Sequence, residues 1–325
     1  MKTMRSCLTP SFSDTRYDWL YRQNPHGRAR AWLAQNLENG DIVGVSAAFK
    51  REACAQGSER SGWILGDFCI ADTYRSLGPA LQLQKATLTA LGNLGDAQFC
   101  YDFPSRSLMA IYQRLGVQAS AHLVRMAKPL RIPERSQRFT GLKALDRPAA
   151  KIGDLLLRVT DYGGPSRHGW EIAIHETECD HEFTELWETT LAENNIRIQR
   201  TAEYLNWRYL RHPLVGYQIL TARKAGALRG YLVFSVGDDN AEIADWCCGG
   251  DDRLVMVLVQ DLVRRLRKTA TTTLSTFLLD SDPGLGLFKR MGFWHRESSP
   301  VVMHWLGSTP APPVDWRLLR GDRDL

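Results

Sequence analysis

The stretch WILGDFCIADTYRSLGPALQLQKATLTAL, residues 63–91, decides the reading of this chain. Residues 63–70 are apolar, rich in aromatic and β-branched side chains, and too short for a typical helix, which predicts a buried strand. From Ala80 onward, Ala80, Leu83, Ala86 and Ala90 recur at near-helical spacing with Gln82, Gln84 and Lys85 between them, which predicts an amphipathic helix. Between the two lies a turn holding Arg75, Gly78 and Pro79. Proline costs nothing in the first helical turn, where its missing N–H would have been unpaired anyway. Such a strand–turn–helix aims free backbone N–H groups and the positive end of the helix dipole at one spot. Two readings stay open on turn chemistry alone: a phosphate site with Arg75 at its mouth and Gly78 allowing close approach, or a plain corner with Arg75 in solvent.

Working outward, residues 11–27 contain a helix-like segment that stops at Asn24-Pro25, because a residue before proline avoids helical backbone. Residues 28–36 and 41–49 read as strands joined through Asn39-Gly40, a hairpin signal. Residues 50–61 read as a polar loop. Residues 97–103 form another strand ended by Pro104, and 105–115 a helix capped by Ser105 and closed by Gly116. A strand over 119–130 is expected to complete this half, and 132–148, with Pro129, Pro133 and Pro148 nearby, reads as a linker or crossing segment.

The second half replays the first. Trp19-Leu20-Tyr21-Arg22-Gln23-Asn24-Pro25 aligns with Trp207-Arg208-Tyr209-Leu210-Arg211-His212-Pro213, Gly66-Asp67-Phe68-Cys69 with Ala244-Asp245-Trp246-Cys247, and Tyr112-Gln113-Arg114-Leu115-Gly116 with Phe288-Lys289-Arg290-Met291-Gly292. The offsets shrink in order along the chain, as short loop deletions between two copies would make them. Ahead of its Trp-x-Tyr segment the second copy has a strand over 170–175 and a helix over 181–193. The first copy has too little chain for both, so it is either truncated or borrows a strand from residues 155–159.

The chain has 325 residues, 44% of them hydrophobic and 24% charged, enough for two globular domains with real cores. A net charge of +5 suits an anionic ligand, but Lys and Arg are scattered, so no nucleic-acid partner is expected. The seven cysteines are odd in number and show no Cys-x-x-Cys pair, which fits free thiols in a reducing compartment. No apolar run suits a signal peptide or a membrane span, so a cytoplasmic protein without membrane contact is expected. His26 and His212 read as surface or capping residues, and residues 308–325 as a disordered tail or an arm onto a partner.

Arg75-Ser76-Leu77-Gly78-Pro79-Ala80 resembles the Arg-x-x-Gly-x-Gly/Ala pyrophosphate loop of the GNAT superfamily of acyl-CoA-dependent N-acyltransferases, with Cys69 to Tyr74 similar to its lead-in. Tyr112-Gln113-Arg114-Leu115-Gly116 resembles the family's Tyr-x-x-Leu-Gly segment. The resemblance implies an α/β (α+β) chain of two GNAT-type domains, each a mixed, mostly antiparallel sheet flanked by helices. The divisions are 1–131 with the acyl-CoA loop, 132–165 as linker, 166–307 as a degenerate second copy, and 308–325 as tail. It further implies transfer of an acetyl or other acyl group from acyl-CoA to an amine acceptor by direct attack, without a metal. Arg75, Ser76, Gly78 and Ala80 would hold the pyrophosphate, the backbone near Cys69 and Ile70 would pair with pantetheine, and Tyr112 would protonate the leaving thiolate. The family often carries Asn seven residues before that tyrosine, where this chain has Ser105.

An attacking amine must lose a proton, so a base is expected. Asp67 is the only carboxylate in the central strand, and burial there would suit it to that task. Its counterpart Asp245 stands in the copy that lacks the loop, which argues for a shared structural role instead, and both readings stay open. In that copy Asp251 and Asp252 would repel a pyrophosphate and Phe288 replaces the tyrosine. Two further readings are a Fem-type aminoacyl transferase, which the intact loop opposes, and a non-catalytic acyl-CoA-binding scaffold.

Overall fold

The computed structural model describes residues 4–5, 8, 12–131, 157, 165–191, 195–306 and 315–324. Helix α1 (Asp14–Tyr17), whose cap Ser13 accepts from the Arg16 N–H, runs on as a π-helical turn over Asp18–Arg22. Strands β1 (Arg30–Gln35), β2 (Ile42–Ala55) and β3 (Ser58–Ile70) follow as an antiparallel ribbon. Helix α2 (Leu77–Leu94), strand β4 (Phe99–Asp102), helix α3 (Arg106–Arg114) and strand β5 (Ala121–Pro129) complete the first half of the chain.

The second half repeats this order after an added strand, helix and strand. It runs through β6 (Glu171–His175), α4 (His181–Glu188) and β7 (Asn195–Ile198), then α5 (Ala202–Leu205), which passes into a second π-helical turn over Asn206–Leu210. Strands β8 (Tyr217–Lys224), β9 (Ala227–Val236) and β10 (Asn240–Cys247) lead to α6 (Asp252–Leu266), β11 (Thr273–Leu279), α7 (Gly284–Arg290) and β12 (Trp294–Trp305), and β13 (Asp315–Trp316) closes the chain.

The thirteen strands among the described residues form one mixed sheet, ordered β13-β7-β2-β3-β4-β12-β5-β11-β10-β9-β8-β6 with β1 beside β2. Residues 50–61 are therefore not a loop: β2 and β3 continue to a two-residue turn at Gln56-Gly57, both at positive φ as such hairpins need. The charged side chains that suggest a loop are strand residues, and Arg51 among them is fully buried. Nor does β5 close the sheet of the first half. It lies between β11 and β12, while β12 spans both β5 and β4, pairing Val302 with Asp102 and Trp305 with Phe99. The two halves thus exchange their last strands.

The strand missing from the first half comes from β7, which pairs with β2 over Ala53–Ala55 and carries β13 on its other edge. Residues 132–148 and, apart from Leu157, 155–159 lie outside the described residues. The described part of the tail is built into the fold, with Leu318, Leu319 and Asp322 buried. One hydrophobic cluster takes Trp19, Phe49 and Tyr101 from the first half with Ile196, Trp207 and Leu318 from the second.

His212 is a capping residue as expected, its Nδ1 accepting from the Leu214 and Val215 N–H groups. His26 is not a surface residue. It stacks on Tyr204 at 4.6 Å and accepts from the Glu52 N–H, and burial holds its imidazole neutral.

Candidate active site

The site begins where two strands part. β3 and β4 run parallel over only three pairs, Gly62–Phe99, Trp63–Cys100 and Ile64–Tyr101. Beyond them one edge of β3 stays paired with β2, while the edge toward β4 carries no strand among the described residues. A bulge at Asp67 and Phe68, opposite Ser46, sharpens the divergence, with Asp67 at φ +48. The wedge this opens lies along the edge of β3 turned away from β2 over residues 65–70, a stretch that includes the buried Cys69 and Ile70.

At the far end of that edge a short 3-10 turn, Asp72–Tyr74, delivers the chain to α2. Ser76 stands at the N-cap without giving a side-chain cap, so it leaves the first N–H groups of α2 uncapped. A Cβ on Gly78 would meet nothing within 4 Å, so packing within the protein does not require glycine there. Arg75 is exposed and pairs with Asp72 at 2.5 Å. Ala80 packs inward with Ile70, Leu83 and Ile111, tying the start of the helix to the end of the strand. Arg75, Ser76, Gly78 and Ala80 are thus brought to one helix start, directly after Cys69 and Ile70.

Tyr112 reaches the apex of the wedge from α3, whose cap Ser105 accepts from the Leu108 N–H. The phenol is fully buried, donates to Asp102 Oδ2 at 2.7 Å and accepts from Gln84 Nε2 at 2.8 Å. Asp102 is the last residue of β4, one past the final β3–β4 pair. Burial pushes its carboxyl up to about 7, against the pull of the Tyr112 hydroxyl, the Phe103 N–H and the Arg323 charge. Burial and the Asp102 charge drive the Tyr112 phenol well above its ordinary range. Sequence reasoning missed Asp102 and Gln84. Both carried a signal: a lone carboxylate ending an apolar strand, and a lone amide on the apolar face of α2.

Asp67 is brought elsewhere. Arg16 grips both of its oxygens, at 2.8 and 2.9 Å, and the Tyr21 hydroxyl donates to Oδ2 at 2.8 Å. Asp245 repeats the arrangement in the second half, with Arg200 and the Tyr209 hydroxyl at its Oδ2 and a bulge in β10 beside it. This geometry favours the structural reading: each aspartate ties a sheet bulge to the π-helical turn packed on it.

The second wedge is filled by the protein itself. β10 and β11 separate after Ile243–Thr276, and the chain at 318–322 enters the gap, where Leu319 bridges to Leu278 and Gly321 lies against Ala244. Arg320 pairs with Glu242 and Asp322 with Arg200. At the start of α6 the Asp251 carboxylate accepts from the Arg253 and Leu254 N–H groups, so the place of an anion is taken by a side chain. No cluster of metal-ligating side chains occurs among the described residues, and no helix among them is long and apolar enough to cross a membrane.

No family model matches the sequence, and no curated protein matches it. Solved structures do. The fold aligns over 93% of this chain with a GCN5-related N-acetyltransferase from Anabaena variabilis, at TM-score 0.65 and 14% identity, covering 68% of that protein. A conserved Enterococcus faecalis protein of unknown function aligns over 93% of this chain and 69% of its own, at TM-score 0.64 and 10% identity. Eis1 from Mycobacterium abscessus aligns over 94% and 69%, at TM-score 0.57 and 12% identity. By these structural alignments, the chain has the fold of the GCN5-related N-acetyltransferase (GNAT) superfamily.

Proposed function

We propose that the protein is an acyl-CoA-dependent N-acyltransferase of two related halves, the first holding the coenzyme and the second serving as scaffold. The observation that carries this reading is the asymmetry of the two wedges: one is open beside an uncapped helix start, the other is filled by residues 318–322 beside a helix capped by Asp251. In the first, the edge of β3 that faces the wedge near Cys69 and Ile70 suits the amides of pantetheine, and the N–H groups of α2 with Arg75 suit a pyrophosphate. The bound thioester would supply an activated acyl group, acetyl in the simplest case. An amine acceptor would attack it directly, and Tyr112 at the apex would serve the departing sulfur.

Calorimetric titration of acetyl-CoA into the full chain tests this. Binding at one site per chain is expected, lost in Arg75→Glu and kept in Tyr112→Phe. No binding of acetyl-CoA or longer acyl-CoAs by the wild type would overturn it. The inward hydrogen bonds of Tyr112 and the full occupation of Asp67 favour one second reading, a coenzyme binder without turnover. Binding without thiol release on any of a panel of amines would favour that reading.

A further inference from the structure

Tyr112, Asp102 and Gln84 form a buried set, at 0%, 5% and 1% exposure, between α2, α3 and the end of β4. A phenol oxygen has one proton to give and two lone pairs to accept with. With Asp102 ionised, the Tyr112 proton is spent on Asp102 Oδ2, Gln84 fills one lone pair, and the other has no partner among the described residues. In that state Tyr112 has no proton to offer a ligand. With Asp102 protonated, the carboxyl O–H and the Gln84 N–H both donate to the phenol oxygen, and the phenol proton is released toward the wedge.

We infer that Asp102 is a positioning residue that sets the direction of the Tyr112 proton, so that Tyr112 serves as an acid only while Asp102 is itself protonated. The inference rests on the acyl-transfer reading. In the step it describes, the amine nitrogen–carbon bond forms and the carbon–sulfur bond breaks with its electron pair going to sulfur. The Tyr112 proton passes to sulfur, the Asp102 proton passes to the Tyr112 oxygen, and the surplus proton on nitrogen leaves to solvent. A proton from solvent then restores Asp102. The groups facing Asp102 are Tyr112 from α3, Cys100 on its own strand, the Phe103 N–H and Arg323 from the carboxyl-terminal segment. Its titration near neutrality, set chiefly by burial, places both states within reach of ordinary buffers.

The test uses the full chain in two measurements. Infrared titration of the free protein is expected to show a protonated carboxyl band that disappears between about pH 6 and 8, is absent in Asp102→Asn, and shifts in Tyr112→Phe. Calorimetry with coenzyme A is expected to give binding about fivefold tighter at about pH 5.5 than at about pH 8.5, from the released phenol proton meeting the sulfur. Asp102→Asn, whose amide donates permanently to the phenol oxygen, should hold the tight affinity at both values and controls for the coenzyme's own titrations. No neutral-range band, or the same pH dependence of affinity in wild type and Asp102→Asn, would overturn the inference. Failure of coenzyme A to bind at either pH would instead sink the acyl-transfer reading, with the infrared band still reporting on Asp102.

Discussion

Trp19 and Trp207 hold each other's backbone. Each indole N–H donates to the other's main-chain carbonyl, at 2.8 and 3.0 Å, and the rings stack at 4.8 Å. Arg208 lies over the Trp19 ring and Arg51 over Trp207, both at 5.6 Å, and the Asp324 carboxylate pairs with both arginines. The halves are therefore joined at their own repeated segment, about a local two-fold relation. Replacing either tryptophan with alanine removes a large buried ring and leaves the partner's carbonyl unpaired, which should cost about 3–5 kcal/mol. Because the two residues share the ring stacking and both indole hydrogen bonds, the double substitution should cost clearly less than the two single costs combined. Urea unfolding of the four proteins measures this, and simple additivity would show that the reciprocal contact carries little.

Asp67→Asn separates the two readings of that residue. Asparagine tolerates the left-handed backbone at φ +48, so the bulge survives and only the charge is lost. Arg16 is then buried beside a neutral partner, a situation that typically costs about 3–5 kcal/mol. The expected result is a lower denaturant midpoint, with acetyl-CoA binding retained at temperatures where the variant is folded. An unchanged midpoint together with loss of thiol release would restore Asp67 as the base.

What the sequence reveals and hides follows from how far each contact reaches. The β3–turn–α2 unit and the capped helix carrying Tyr112 are legible because apolar spacing, Gly78, Pro79 and Ser105 act within a few residues of themselves. The strand exchange is hidden, since β5 and β12 follow equivalent helices and nothing local says which neighbour each will take. The tail reads as polar and loose for the same reason: Asp322 and Asp324 are charged, and their partners Arg200, Arg51 and Arg208 lie more than a hundred residues away. Asp67 and Asp245 read as a repeated pair, yet Arg16 and Arg200, which explain them, sit outside the aligned segments.

The plug in the second wedge makes its own prediction. A Cβ on Gly321 would fall 1.9 Å from the Tyr209 hydroxyl and 3.2 Å from the Ala244 carbonyl. Gly321→Ala must push Tyr209 off Asp245 or lift the segment from the wedge, at a cost of about 2–4 kcal/mol. Gly286→Ala, within α7, meets nothing within 4 Å and should be neutral or stabilising by about 1 kcal/mol. Hydrogen exchange read by mass spectrometry should show residues 318–322 losing protection in Gly321→Ala. Protection equal to wild type would mean that the segment is not packed in the wedge.

The Asp102 carboxyl links stability to pH in a direction opposite to that of most acidic residues. Its ordinary value is 3.8, and burial raises it to about 7 in the folded chain. Between these values the native state holds a proton that the unfolded chain has released, so stability falls as pH rises through that window and is flat above it. Asp102→Asn keeps the size and donates to the Tyr112 oxygen as the protonated carboxyl does, but removes the cost of a buried charge. The variant should match wild type at about pH 4 and exceed it by a margin on the order of 4 kcal/mol above neutrality. Urea unfolding of both proteins across this range gives the difference directly. A constant offset between the two curves would mean that Asp102 is ionised in the fold throughout, and that its hydrogen bond from Tyr112 outweighs the cost of burial.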